Sequence, residues 1–288
     1  MRLLQLEGLP ISHDLRLGDS GRDPGLSVRF DGSRTCGLLQ IVEAPPLDLL
    51  YSWADADMTG IQKLRHFDDL IATTIARQDR GRAVDVGCND GAFLEALGRA
   101  GYTDLVGVEP NKAAAAIARD LGHNVHVGFL TSSLADRLVA EGGRFRTVFL
   151  RHVVEHVSAL DEFFDAARRL LTEDGVLVVE LPEIEETLFL GSPAILWEEH
   201  LSYFSSGLAE HILEQYGFAV SDRRRYAFGG GSLSYVARKG PSPGPRPVPA
   251  PKAAEAVALL QDYASGLRRQ AATLAEVVVV AGRPGGES

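Results

Sequence analysis

The chain has 288 residues of which 45% are hydrophobic, enough for a large packed core. Its net charge is −10, and no Lys/Arg stripe is interleaved with aromatics, which argues against nucleic acid as substrate or partner. No run approaches the roughly 20 apolar residues that span a bilayer, the start Met1–Glu7 is too short and too acidic for a signal peptide, and two cysteines cannot build a disulfide framework, so a cytoplasmic protein without a membrane is expected.

Residues 1–57 mix Gly, Pro, Asp and Ser with short apolar runs such as Cys36 to Val42, and predict an amino-terminal arm of irregular structure with short strands. Ile61, Leu64, Phe67, Leu70, Ile71 and Ile75 recur at three- and four-residue intervals, predicting an amphipathic helix from about Met58 to Ala76. From there to Lys239, short β-rich runs alternate with helical patterns, which implies an α/β domain over 58–239 with a doubly wound, mostly parallel sheet. Strands are predicted at Ala83–Val86, Leu105–Val108, Val125–Val127, Thr147–Leu150 and Val176–Leu181. A helix at Leu208–Tyr216 precedes a closing antiparallel hairpin of Ala219–Arg225 and Ser232–Arg238. The alternating prolines of 240–252 predict a linker, and 253–288 a carboxyl-terminal helix and tail, the helix stopping before a strand-like Val277–Val280.

The first strand of the domain runs into Asp85, Gly87, Asn89 and Gly91 before a helical pattern begins near Ala92. Glycines open backbone angles closed to other residues and let a ligand approach the main chain, while the helix start presents unpaired amides. Asp85 can accept hydrogen bonds from a ligand ammonium, for which a pyrophosphate loop would have no use. Glu109, at the tip of the second strand, offers two oxygens to two ribose hydroxyls. Asn89 stands where a dinucleotide fingerprint needs its second glycine, so an adenosyl-amino acid fits better than a dinucleotide. Singly, Asp85 reads equally well as a turn-former and Glu109 as a solvated strand end; their order and spacing are what join them.

A second constellation, Trp197-Glu-Glu199-His200-Leu-Ser-Tyr-Phe204, follows the fifth strand, at the end of the sheet where ligands of open α/β folds bind. His200 is suited to general-base work near neutral pH, and Glu199 to orienting the imidazole or a substrate hydroxyl; the alternative is a buried, hydrogen-bonded histidine capping a helix start. His152 and His156 flank Glu155, but no third ligand is evident and no metal is assigned. Arg223 to Arg225 read as a solvated strand edge or as partners for a diphosphate.

The Asp85 to Gly91 run and Glu109 resemble the Asp-x-Gly-x-x-x-Gly motif and acidic second strand of class I methyltransferases. The resemblance covers about Arg82 to Lys239 and includes Arg151-His152-Val-Val-Glu155-His156 and the run from Leu170 to Pro182. It implies a Rossmann-like fold and S-adenosyl-L-methionine as cofactor, held by Asp85, Gly87, Asn89, Gly91 and Glu109. The adenine edge would lie by Gly128, Phe129 and Leu130, where Phe129 either stacks or belongs to the core, and His152 would touch cofactor or substrate.

Glu199 to Ser205 resembles the Glu-His-x-Ser-Tyr-Phe-Ser motif of sugar C-methyltransferases, as do Cys36 to Gln40 and Gly230 to Leu233. That family implies a nucleotide-linked keto-deoxysugar as substrate, His200 as the base that removes the proton alpha to the ketone, and Glu199 as a holder of the sugar. The sequence departs from the family in keeping only Cys36 of a zinc-binding amino-terminal module, in having Trp197 for an aromatic hydroxyl, in lacking lid tyrosines around Trp53 to Met58, and in offering no counterpart to a carboxyl-terminal α/β domain. O-methylation of another metabolite and a non-catalytic cofactor-binding relative are the competing expectations. The oligomeric state is left open.

Overall fold

The computed structural model describes residues 2–9, 26–33, 36–42, 61–75, 81–189, 199–228, 231–241, 244 and 246–281. Two sheets organise them. The larger has seven strands: β4 (Ala83–Val86), β5 (Leu105–Glu109), β6 (Asn124–Val127), β7 (Phe145–Arg151), β8 (Leu171–Pro182), β10 (Phe218–Tyr226) and β11 (Ser232–Lys239), in the order β10-β11-β8-β7-β4-β5-β6. The five from β4 to β8 are parallel, and β11 enters antiparallel between β8 and β10. Strand order reverses at β4, so the crevice beyond its carboxyl end is where this architecture binds ligands.

β4, β5 and β7 are buried on both faces, as is β8 from Gly175 to Leu181, whereas the edge strand β6 leaves Asn124 and Val127 exposed; residues on the buried strands sort by parity. Val84, Val86, Val148, Leu150, Leu177 and Val179 pack with α4 (Ser132–Gly142), α5 (Leu160–Leu170) and α7 (Ser206–Gln215). Ala83, Phe149, Val176 and Val178 pack on the opposite face with α1 (Ile61–Ile75), α2 (Ala92–Arg99) and α3 (Lys112–Asp120). Three of the helices start at a side-chain cap: Asn111 accepts from the amides of Ala113 and Ala114, Thr131 from Leu134 and Ser205 from Leu208. All the strands expected in the main domain form, with β8 extended back to Leu171.

One expectation gains detail and one changes. Of the amino-terminal residues, expected to hold short strands, the described ones form β1 (Arg2–Leu9), β2 (Leu26–Gly32) and β3 (Leu39–Ile41) of an antiparallel sheet completed by β9 (Ser202–Tyr203). The period-two pattern Leu26-Ser-Val28-Arg-Phe30-Asp31 was a strand signal hidden by the surrounding glycines. Val277–Val280, expected to be strand-like, continues the last helix, α8 (Ala250–Ala281). Valine costs a helix only about 0.5 kcal/mol per residue, and no strand pairs with this segment among the described residues. Leu260, Tyr263 and Ala264 of α8 pack with Leu39, Ile41 and Tyr203, and with Ile184 and Leu188 around α6 (Glu185–Phe189), so α8 covers the small sheet.

Candidate active site

Beyond β4 the backbone turns through Gly87 at φ +76°, Asn89 at +49° and Gly91 at +84°. A side chain at Gly87 would strike Val153 as well as face the left-handed backbone penalty, so the turn needs glycine there. Asn89 tolerates this region, and its amide donates to Glu109 Oε2 at 2.8 Å while the Asn111 amide donates to Oε1 at 2.7 Å. Glu109 therefore ties the first and second crossover loops together and keeps a free lone pair on each oxygen for ribose hydroxyls. Burial raises its pKa, against the pull of these two amides.

Asp85 is 1% exposed, and neither of its oxygens accepts a hydrogen bond from the described residues. Burial pushes its pKa up to about 7; Arg151 pulls it down and Glu109 pushes it further up. A carboxylate buried without donors is costly and calls for a cationic or N–H partner. The orphaned carboxylate, the glycine turn and the bridging Glu109 fit the ammonium and ribose of S-adenosylmethionine. Phe129 is 51% exposed beyond β6, which removes the core option.

Parity explains the next row. On β4, β7 and β8 the face carrying Ala83, Phe149 and Val178 continues to Asp85, Arg151 and Glu180 respectively, near the carboxyl ends of the strands, with Arg151 in register with Glu180. Arg151 lies over Phe67 and Phe93 at 4.4 and 4.1 Å from their ring centres, with its Nε 3.3 Å from Glu180 Oε2. Glu180 is fully buried and also meets His66 Nε2 of α1 at 2.6 Å, His152 Nε2 at 3.5 Å and the Ser232 hydroxyl, which donates at 2.7 Å. Burial alone would raise its pKa, but His152, His66 and Arg151 hold it well below the carboxylate range. His66 and Glu180 escaped the sequence reading; the available signal was a histidine beside Phe67 on an apolar helix face and a charge closing an alternating strand.

His152, at φ +49°, also brings Nδ1 within 3.4 Å of Glu155 Oε1. Desolvation would lower its pKa, yet Glu155 and Glu180 raise it to about 9, so it is an imidazolium at neutral pH. Glu155 itself is 1% exposed, in the one-turn helix Val154–His156.

The last part of the site arrives from the small sheet. Leu39 and Gln40 of β3 pair with Tyr203 and Ser202 of β9, Gln40 Nε2 donates to Ser202 Oγ at 3.2 Å, and the Ile41 amide donates to the Leu201 carbonyl at 3.0 Å. This fixes the segment in which His200 is buried, edge-on to His156 with ring centres 4.9 Å apart. Burial pushes the His200 pKa down to about 4, with Glu155 pulling up and His156 pushing down, leaving a neutral imidazole at pH 7. The half-buried Glu199 offers its carbonyl to His156 Nδ1 at 2.8 Å. Trp197, Trp53 to Met58 and Gly230 lie outside the described residues. Arg223 and Arg225 are engaged by Glu210 and by Glu183 and Glu186, along an open cleft of about 850 Å³ that also holds Lys252 and Glu255. Acids already occupy these arginines, as a solvated strand edge would have it.

The strand order and the glycine turn with its two acids define a class I S-adenosylmethionine-dependent methyltransferase. Residues 60–222 match the family model described as a methyltransferase domain, and the protein belongs to that family. C-methyltransferase NovU of Streptomyces niveus is 31% identical over 209 residues, 71% of this chain and 49% of that protein. A ubiquinone biosynthesis O-methyltransferase of Caulobacter sp. (strain K31) is 34% identical over 103 residues, 34% of this chain and 39% of that protein. The matched region thus spans about half the length, or less, of these two relatives. The Burkholderia thailandensis 1,6-didemethyltoxoflavin-N1-methyltransferase, solved with bound 1,6-didemethyltoxoflavin and S-adenosylhomocysteine, shares the fold: TM-score 0.53 at 16% identity, over 78% of this chain and 99% of that one. Among the described residues, no helix is long and apolar enough to cross a membrane.

Proposed function

We propose that this protein transfers a methyl group to a carbon of a small keto-sugar carried on a nucleotide, with His200 as general base. The observation that carries this reading is the burial of a neutral His200 at the same end of the sheet as the Asp85 carboxylate, inside the Glu199–Ser205 motif. The similarity to the C-methyltransferase of S. niveus, spanning both halves of the site, supports it.

When bound by Asp85, Glu109 and the glycine turn, S-adenosylmethionine supplies an electrophilic methyl group. His200 takes the proton alpha to the ketone on its unprotonated ring nitrogen, turning that carbon into the nucleophile. Glu199 holds a sugar hydroxyl, and Phe129 stacks on the adenine edge. In this reading His152, cationic beside Glu155, stabilises the negative charge that develops on the substrate oxygen.

The test is mass spectrometry of products from methyl-labelled cofactor and a panel of nucleotide-linked keto-sugars and alcohols. Label on a sugar carbon is expected, with buffer deuterium entering that carbon when methyl transfer is blocked. His200→Ala should keep cofactor binding and lose turnover. O-methylation is the second reading, favoured by the O-methyltransferase similarity; label on oxygen, without deuterium exchange, would replace the first reading with it.

A further inference from the structure

The structure brings together a side-chain set that sequence spacing did not join. His152 and His156 looked like a histidine pair lacking a third ligand; in the fold His152 turns towards Glu180, and His200 arrives from the β8–β9 connection instead. One donor atom each from Glu155, His156 and His200 lies within 4.8 Å of the other two. We infer that Glu155, His156 and His200 form a site for a divalent transition-metal ion of the zinc type, occupation of which blocks the base.

Three observations support a ligand here. Glu155 is 1% exposed and neither oxygen accepts a hydrogen bond from the described residues, its nearest cation being His152 Nδ1 at 3.4 Å. A carboxylate so placed gains from a cation at bonding distance. Two imidazoles and one carboxylate are the donors that zinc and cobalt(II) prefer over magnesium or calcium. The bond of His156 Nδ1 to the Glu199 carbonyl, 2.8 Å, makes Nδ1 the donor and leaves Nε2 its lone pair, as histidine ligands are commonly held by a backbone oxygen. Metal bonds of about 2.1 Å need the donors to close by roughly 1 Å, within reach of side-chain rotation.

An ion there takes the lone pair that His200 would use on substrate. Metal-loaded protein is therefore inactive as a base catalyst. This consequence rests on the proposed role of His200; metal binding itself does not.

The experiment is titration of chelator-treated full-length protein with Co²⁺, read by visible d–d absorption, and with Zn²⁺ by equilibrium dialysis. One equivalent is expected. Loss of the bands is expected in Glu155→Gln and in His156→Gln, with retention in His126→Ala, a histidine paired with Glu141 away from the site. Calorimetry with S-adenosylmethionine shows that each variant is folded. Absence of saturable uptake, or uptake undiminished in both ligand variants, would overturn the site. Should Zn²⁺ bind as expected while turnover continues undisturbed, the site stands and the base assignment for His200 falls, so the two failures are distinguishable.

Discussion

Asp85 and Glu180 close two strands of one sheet on the same face, with Arg151 of the intervening strand between them, and both are essentially buried. Their chemistry is opposite. Glu180 has Arg151, His66, His152 and Ser232 within reach and is held ionised, whereas Asp85 has no hydrogen-bond donor among the described residues and its pKa rises to about 7. Equal burial thus yields a paired anion in one place and an unpaired carboxyl in the other, and what separates them is whether the fold supplies the partner; in the function proposed above, the cofactor supplies it at Asp85.

The largest effect expected from breaking this contrast is at Glu180. Glu180→Ala leaves Arg151 and His66 buried without their acid, which costs about 3–5 kcal/mol, measurable by urea unfolding. Its depressed pKa means that its stabilisation is full above the ordinary glutamate range and is lost as pH falls through the lower folded value. Unchanged stability in the variant would mean that the row of charges is not a unit.

Next comes Asp85. Asp85→Ala is expected to lower S-adenosylmethionine affinity at least about 100-fold, close to 2.7 kcal/mol, by calorimetry. The same group predicts a pH dependence of smaller size. Only the carboxylate can pair with the ligand ammonium, so affinity should fall as pH drops below about 7, by up to about tenfold per unit, and level off above it. The sign for the unliganded fold is reversed: a raised carboxylate pKa favours the protonated folded state, so stability declines as pH climbs from the ordinary aspartate range through 7. Asp85→Asn should flatten both profiles. A flat profile in the native protein would show that another group meets the ammonium.

The same contrast explains what the sequence could tell. The cofactor end is built from two short crossover loops, and Asp85, Gly87, Asn89, Gly91 and Glu109 span 25 residues, so its order and spacing are legible before any folding. The alternation of short β-rich runs with helical patterns made the sheet legible for the same local reason. The acceptor end is assembled from α1, the ends of β7 and β8, the β9 segment and β11, and no spacing connects His66 to Glu180 or His200 to Glu155. His152 illustrates the limit: the resemblance implies contact with cofactor or substrate, while the two-sided contact with Glu155 and Glu180 that the structure shows depends on a left-handed backbone. The course of β1 and β2 was obscured by turn-forming residues, and the helical fate of Val277–Val280 by residues that favour strands.

The smallest effect tests whether the amino-terminal sheet belongs to the site. Gln40 is exposed, yet its side chain donates to Ser202, two residues from His200, and it pairs with Ser202 across β3 and β9. Gln40→Ala keeps the backbone ladder and removes one side-chain hydrogen bond, a loss of about 1 kcal/mol or less in stability. Because that bond steadies the segment carrying His200, the proposed base, and lies far in sequence from the glycine turn, kcat should fall by less than about tenfold with cofactor affinity unchanged. A drop in cofactor affinity instead would mean that the small sheet communicates with the Asp85 end, and that the two halves of the site are less separable than their opposite carboxylates suggest.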